Sequence, residues 1–341
     1  MLRVIFMGTP HFALPTLQAL IESPEIELLG VLTQPDRPSG RGQKLVAPPV
    51  KELALMHNLP IWQPERLRKD EACQAWLKEQ APDFFVTAAF GQILPQSVLD
   101  IPKYATVNVH ASLLPKYRGA NPVQCAVING DTETGVTTML TVLEVDAGDM
   151  LLNAKTPISE NDTAVDVLGR MAMAGGSIIV ESLTGMASGK LVPQAQDTSQ
   201  MTHAPKLNKE DAMIDWSQTA QTIHNKIRGQ QPWPGAETMW GDLVIKIHRT
   251  QVVPITEANA NKQEPDQYHP AGTILQTVKE GILVQTGRGI LCISELQPPG
   301  KPKMRASDWA NGTLRQKPGV PKAPQQFTGP QVPELTKVSE Q

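Results

Sequence analysis

The chain is poor in cysteine. Of its 341 residues only Cys73, Cys125 and Cys292 are cysteines, far apart and with no Cys-x-x-Cys pair. That argues against a disulfide framework and against the usual zinc-ligand spacings. It fits a reducing compartment, so a cytoplasmic location is expected and no metal cofactor. No apolar run approaches the roughly 18 residues that a membrane-spanning helix needs. The apolar opening, Leu2-Arg3-Val4-Ile5-Phe6-Met7, is too short for a signal peptide and runs into the turn signal Gly8-Thr9-Pro10. Charge imbalance is also small. A net charge of -3 does not by itself point to nucleic acid. The first half is the more acidic and the second mildly basic, which permits a polyanionic partner at one end but is equally what random surface variation produces.

What is present is the composition of a soluble globular chain, with 40% hydrophobic and 19% charged residues and enough length for two domains. Leu2–Met7 reads as a buried strand. Phe12, Leu14, Leu17, Leu20 and Ile21 then fall at helical spacing, and 26–33 reads as a second strand. A strand–helix–strand opening is how an open parallel sheet begins. The alternation continues, with helices expected near 47–57, 70–79 and 121–128. Strands are expected near 60 and at 83–88, 105–110 and 136–145. A long helix is expected over 162–188, with Val165, Val167, Leu168 and Met171 inward and Gly189 near its stop.

Past residue 190 the pattern changes. A polar, proline-containing stretch is followed by one helix that carries Ala220, Ile223, Ile227 and Arg228 in register. Short β-like runs follow at 243–248, 272–275, 281–286 and 290–296. Short strands broken by Gly and Pro suggest a small barrel. The expected organisation is a catalytic domain over 1–189, a linker over 190–207, an OB-like domain over 208–312 and a proline-rich tail over 313–341, extended or disordered. The fold class is α/β, a Rossmann-like mostly parallel sheet followed by a small OB-like β-barrel.

Two segments stand out for chemistry. Gln34–Leu45 is a long Gly/Pro-rich connection carrying Arg37, Arg41 and Lys44. It follows the second strand, where loops face the ligand crevice of a parallel sheet. It can reach over a large anionic substrate, or it can be an ordinary solvated loop. The other segment is Thr106-Val-Asn108-Val-His110-Ala-Ser112-Leu113-Leu114-Pro115. Alternate strand residues share a face, so Asn108 and His110 leave one strand end side by side. An amide N–H suits a developing oxyanion, and an imidazole titrating near neutrality can stabilise or relay charge. Asp146, in Val145-Asp146-Ala147-Gly148-Asp149, follows an apolar run and can orient that imidazole. Read singly, the His can be a packed residue and the Asp a turn residue. Asn108 is the odd member, since Asn is disfavoured in a strand and costly to bury unpaired.

Asn108-Val-His110-Ala-Ser112-Leu-Leu-Pro115-Lys-Tyr-Arg-Gly, followed later by Asp146-Ala-Gly-Asp149, resembles the folate-dependent formyltransferase family. The resemblance implies that Asn108, His110 and Asp146 are the catalytic trio and that Ser112, Leu113, Leu114 and Pro115 line a folate site. Further segments resemble the branch of that family that acts on methionyl initiator tRNA. They are Met7–Pro10, Gln34–Lys44, Phe90-Gly91-Gln-Ile-Leu-Pro95, Ala204-Pro-Lys206-Leu207, Ile214-Asp-Trp216, Ile227-Arg228, Pro232–Ala236 and Leu296–Lys301. The likeness spans roughly residues 1–312. It implies 10-formyltetrahydrofolate as donor and Phe90 and Gly91 beside it. Arg37, Arg41, Lys44 and Lys206 would meet the tRNA, and no membrane is involved. A monomer is expected, since nothing suggests a coiled coil. Phe90 stands where the family usually has Tyr, and Asn121 where it usually has a second Ala. The competing expectations are a sugar-nucleotide N-formyltransferase, which shares the trio, and a tRNA-binding module without catalysis.

Overall fold

The chain forms its first sheet from apolar strands buried on both faces. The structure, a computed structural model, describes residues 1–40, 42–254, 269–314 and 325–329. In chain order the first elements are β1 (Leu2–Gly8), α1 (Leu14–Glu22), β2 (Ile26–Leu32), β3 (Arg37–Ser39), β4 (Lys44–Val46), α2 (Pro49–Met56), β5 (Ile61–Trp62), α3 (Glu71–Glu79) and β6 (Phe84–Ala88). Then come α4 (Gln96–Leu99), β7 (Ala105–His110), β8 (Arg118–Gly119), α5 (Pro122–Asn129), β9 (Glu133–Leu140), β10 (Met150–Pro157), α6 (Ala164–Ala187) and β11 (His203–Ala204). The main sheet runs β10-β9-β7-β6-β1-β2-β5. The pairs β5–β2, β2–β1, β1–β6 and β6–β7 are parallel, and β9 and β10 are added antiparallel. Strand order reverses at β1/β6, so the crevice of this open sheet is expected beside the carboxyl ends of β1, β6 and β7.

The second set is α7 (Ala220–Gly229), β12 (Ala236–Trp240), β13 (Leu243–Val252), β14 (Ile274–Thr277), β15 (Ile282–Gln285), β16 (Ile290–Gln297), β17 (Met304–Arg305) and α8 (Ala306–Thr313). Its sheet runs β12-β13-β16-β15-β14, with β17 on β16, and every pairing is antiparallel. The described chain separates into two compact units. One comprises Met1–Val123, Thr132–Ser159 and Asp166–Lys206. The other comprises Gln124–Asp131, Glu160–Val165 and the described part of Leu207–Gln341.

The second unit thus takes two short segments that a single boundary in sequence does not capture. Polar groups of α7 explain why. His224 is buried, with Nε2 against the Glu160 carbonyl (3.0 Å) and Nδ1 against Thr250 Oγ1 (3.0 Å). Buried Arg228 donates from Nη1 to the Asp162 carbonyl at 3.0 Å. A side chain at Gly229 would collide with Ile128. Buried polar groups must be paired, and two of these bonds go to backbone of the 160–165 segment, distant in sequence.

Burial lowers the His224 imidazole from its ordinary value. The folded chain therefore takes up this proton at lower pH than the unfolded chain. Stability from this group is complete above about pH 6.5, the ordinary imidazole value. It is lost as pH falls from there toward the folded value. Burial lowers His248 in the same way. The urea midpoint of the second unit is expected to drop between pH 7 and pH 5, and His224→Gln to flatten that slope. Equal slopes for both proteins would count against it.

Several local expectations differ from the fold. The strand expected over 136–145 ends at Leu140, because the chain turns there into a loop in which Val142, Leu143 and Val145 are exposed. Strand β10 and helix α4 were not legible. Val165, expected inward, is 51% exposed, while Val167 and Met171 of the same helix are fully buried. The stretch expected as a long loop after β2 contains the β3–β4 hairpin. Asp36 pins its base by accepting from Lys51 Nζ (2.8 Å) and Gln63 Nε2 (2.8 Å). Those two bonds, Gln63's the larger, hold the Asp36 carboxyl below its ordinary range.

The proline-rich tail holds a further surprise. Residues 325–328 run between the two edges of the second sheet. Thr328 exchanges two backbone bonds with Met239 of β12 (2.9 and 3.0 Å), and Gln325 accepts from Ile274 of β14 (2.8 Å). Phe327 is fully buried and stacks on Trp216 and Trp309, at 5.8 and 6.0 Å between centroids. Its main chain passes so close to Gly272 (φ +89°) that a Cβ there would lie 2.1 Å from the Phe327 oxygen.

Candidate active site

Asn108 and His110 lie at the carboxyl end of β7, two residues apart, and so share a face. Across the parallel pair, Thr87 of β6 is in register with Asn108. The Thr87 hydroxyl donates to Asn108 Oδ1 at 2.8 Å. Donation to the amide oxygen turns Nδ2 away from the strand. Among the described residues nothing accepts from Nδ2, and that atom is not sealed from solvent. The costly Asn in a strand thus has one end satisfied and the other available to a ligand.

His110 is 6% exposed. Its Nε2 lies 3.0 Å from the Tyr117 carbonyl, which can only accept, so Nε2 carries a hydrogen. Its Nδ1 lies 3.5 Å from Asp146 Oδ1. A proton that this pair exchanges with a ligand therefore sits on the Nδ1–Oδ1 side. Asp146 reaches this place from the loop after β9, with its backbone at φ 54°, the left-handed region that Asp tolerates better than most residues. The Gly119 N–H donates to its Oδ2 at 2.9 Å. Gly148, two residues on, lies so close to the Leu140 carbonyl that any side chain would strike it. The Asp-Ala-Gly order is what lets the loop turn back under the carboxylate.

The Ser112–Pro115 segment follows β7 directly. Ser112 is buried and donates to the Lys116 carbonyl. Thr137 of β9 donates to the Ser112 carbonyl (2.7 Å) and accepts from the Leu114 N–H (3.1 Å), which ties the segment to the sheet. The Leu114–Pro115 bond is cis. Leu114 is buried, and Leu113 and Pro115 are half-buried. After β6, the Phe90 carbonyl accepts from Thr9 Oγ1 and Gln34 Nε2, both at 3.1 Å. The Phe90 ring lies in the core with Ile5, Met7 and Leu32, so what it offers a ligand is main chain. Gly91 is exposed at φ +79°.

Of the basic residues, Arg37 pairs with Glu65 at 3.2 Å on the exposed hairpin, and Lys44 is exposed on the facing strand. Lys206 is exposed shortly after β11. Arg41 lies outside the described residues. Sequence reasoning missed Thr87, Tyr117 and Thr137. A single polar residue inside Phe84-Phe-Val-Thr-Ala88 was a signal for the first; the other two act through backbone or on it, and leave none. Among the described residues no group of three His, Cys, Asp or Glu is placed to hold a metal ion, and no helix is long and apolar enough to cross a membrane.

The chain matches known proteins along most of its length. The formyl transferase domain matches residues 2–183, and the formyl transferase C-terminal domain residues 206–314. The methionyl-tRNA formyltransferase of Trichlorobacter lovleyi is 47% identical over 310 residues, covering 91% of this chain and 94% of that one. The enzyme of the same name from Clostridium perfringens is 45% identical, covering 91% and 97%. Among solved structures, the sugar 3N-formyl transferase WlaRD superposes with a TM-score of 0.62 at 19% identity, covering 89% of this chain and 99% of that one. That last likeness bears on the fold, which is shared. The two domain matches and the identity to these relatives place the chain in the formyl transferase family.

Proposed function

We propose that the protein transfers the formyl group of 10-formyltetrahydrofolate to the α-amine of methionyl initiator tRNA, in the cytoplasm and as a monomer. The observation that carries this reading is an amide nitrogen with no acceptor among the described residues, beside a His–Asp pair at one sheet end. The relatives' shared name supports the choice of amine.

The bound donor supplies the formyl carbon, which passes from the folate nitrogen to the amine. Asn108 Nδ2 donates to the formyl oxygen as it gathers negative charge. His110 is held by Tyr117 and Asp146, and the pair takes the proton that the attacking amine sheds, at Nδ1–Oδ1, and returns it to the folate nitrogen as the bond to the formyl carbon breaks. Asn108 thus serves the oxygen and the His110–Asp146 pair serves the proton. Gly91 and the Ser112–Pro115 segment present main chain and apolar side chains to the folate. The fit rests on the free Asn108 donor and on the fixed backbone around it.

Arg37, Arg41, Lys44 and Lys206 serve the tRNA. If three or four of them meet phosphates, affinity falls with salt at a log–log slope of about -2 to -4. Arg37→Ala and Lys44→Ala should each flatten that slope by about 1. Binding to methionyl-tRNA measured across a salt series checks this, and a flat dependence contradicts it.

A further inference from the structure

We infer that Gln196, from the stretch between the two expected domains, is a positioning residue that holds the Asp146 loop in its working place. The inference rests on the proposed role of Asp146. Gln196 is half-buried, and all three of its side-chain bonds are specific. Nε2 donates to the Asp146 carbonyl (2.9 Å) and to the Gly148 carbonyl (2.8 Å). Oε1 accepts from Arg118 Nε at 2.9 Å.

The chemistry leaves one orientation for this amide. A guanidinium only donates, so the oxygen must face Arg118, and the NH2 must face the loop. Arg118 is itself buried, and its position is fixed by the Thr202 carbonyl, which accepts from its backbone N–H at 2.9 Å. Gln196 is anchored on its own chain as well. Two residues earlier, Gln194 exchanges two 2.8 Å backbone bonds with Met150 at the start of β10.

The loop that Gln196 grips needs such a hold. Val142, Leu143, Glu144 and Val145 are exposed. Asp146 sits in the left-handed region, where a non-glycine residue relaxes unless its surroundings fix it. Within the loop the Ala147 N–H reaches the Glu144 carbonyl only at 3.3 Å. Gln196 bridges the main chain on both sides of Ala147 and so sets where the Asp146 carboxylate meets His110. The stretch expected as a linker is therefore part of the catalytic machinery's support.

The test is a double-mutant cycle on the full-length protein, with 10-formyltetrahydrofolate and methionyl-tRNA as substrates. Gln196→Met keeps the length and removes all three bonds. It should lower kcat about 10- to 100-fold, the scale of an ångström's misplacement, with KM for both substrates within about threefold. In an Asp146→Ala background the same change should cost less than about twofold. An equal loss in both backgrounds, or no loss in the wild-type background, overturns the inference. If Asp146→Ala itself keeps wild-type turnover, the role of Asp146 falls and this inference with it. If Asp146→Ala is impaired and Gln196→Met is not, the inference falls alone. Should Gln196→Met melt well below wild type, Gln196→Glu takes its place with the same expectation. It keeps the bond accepted from Arg118, loses the two donated to the loop and sets a carboxylate oxygen against the two loop carbonyls.

Discussion

Asn108→Ala is expected to lower kcat about 100- to 1,000-fold while leaving KM for the folate and the tRNA nearly unchanged. That is the usual cost of losing one donor to a developing oxyanion. A donor that acts on charge present only in the transition state affects turnover and not ground-state binding. Three features of the site make the expectation specific. Asn108 Oδ1 is already taken by the Thr87 hydroxyl, which leaves Nδ2 as the working end. Nδ2 has no acceptor among the described residues, so the one bond inside the protein that the change breaks is the one Oδ1 accepts from Thr87. His110 has its Nε2 committed to the Tyr117 carbonyl and its Nδ1 facing Asp146, so it is poorly placed to replace the lost donor. Steady-state kinetics with both substrates varied checks the split. A kcat within a few-fold of wild type, or a loss confined to KM, would contradict the role.

Phe327→Ala is expected to destabilise the second unit by about 3–5 kcal/mol, the range for removing a buried aromatic from a packed core. Phe327 is fully enclosed, and its ring lies against Trp216 and Trp309. It is also the side chain of the segment that links β12 to β14 through backbone bonds. A loss there opens a cavity and loosens the segment's pairing with both edges, although β12 is also held by the Ile214 N–H, which donates to the Glu237 carbonyl at 2.8 Å. The C-terminal domain match ends at residue 314, so this closure comes from chain beyond it. Tryptophan fluorescence during urea unfolding reports on it directly, since Trp216 and Trp309 touch the deleted ring. A midpoint equal to wild type would show that the segment does not contribute to the barrel.

Much of the first unit is legible in sequence because its signals are local. Strands buried on both faces read as continuous apolar runs, and α1 and α3 carry their apolar residues at helical spacing. The grouping of Asn108 with His110 is legible for a different reason: the strand period fixes them relative to each other, while Asp146 joins them through the family resemblance of its Asp-Ala-Gly motif. What sequence does not show are partners chosen by tertiary approach. Thr87 matters because β6 pairs with β7 in one register. Tyr117 acts on His110 through a carbonyl, which every residue has. Gln196 lies in a stretch with no periodicity, and its three bonds reach residues 48 to 78 positions away. Phe327 is a lone aromatic in a proline-rich tail, where composition argues for no structure at all. Val165 fails for a simpler reason. Helical spacing ranks which residues share a face, but it does not say where that face ends.

The central claim is that one site carries a formyl group from a folate to the amine of a charged tRNA. The most direct test is a single-turnover assay with 10-formyltetrahydrofolate labelled on the formyl carbon, offered methionyl initiator tRNA in one arm and an amino-sugar nucleotide in the other. The account predicts label on the methionyl ester and none on the sugar, with the tRNA signal lost in the Asn108→Ala protein. Label on the amino sugar, or tRNA that binds without ever acquiring label, would contradict it.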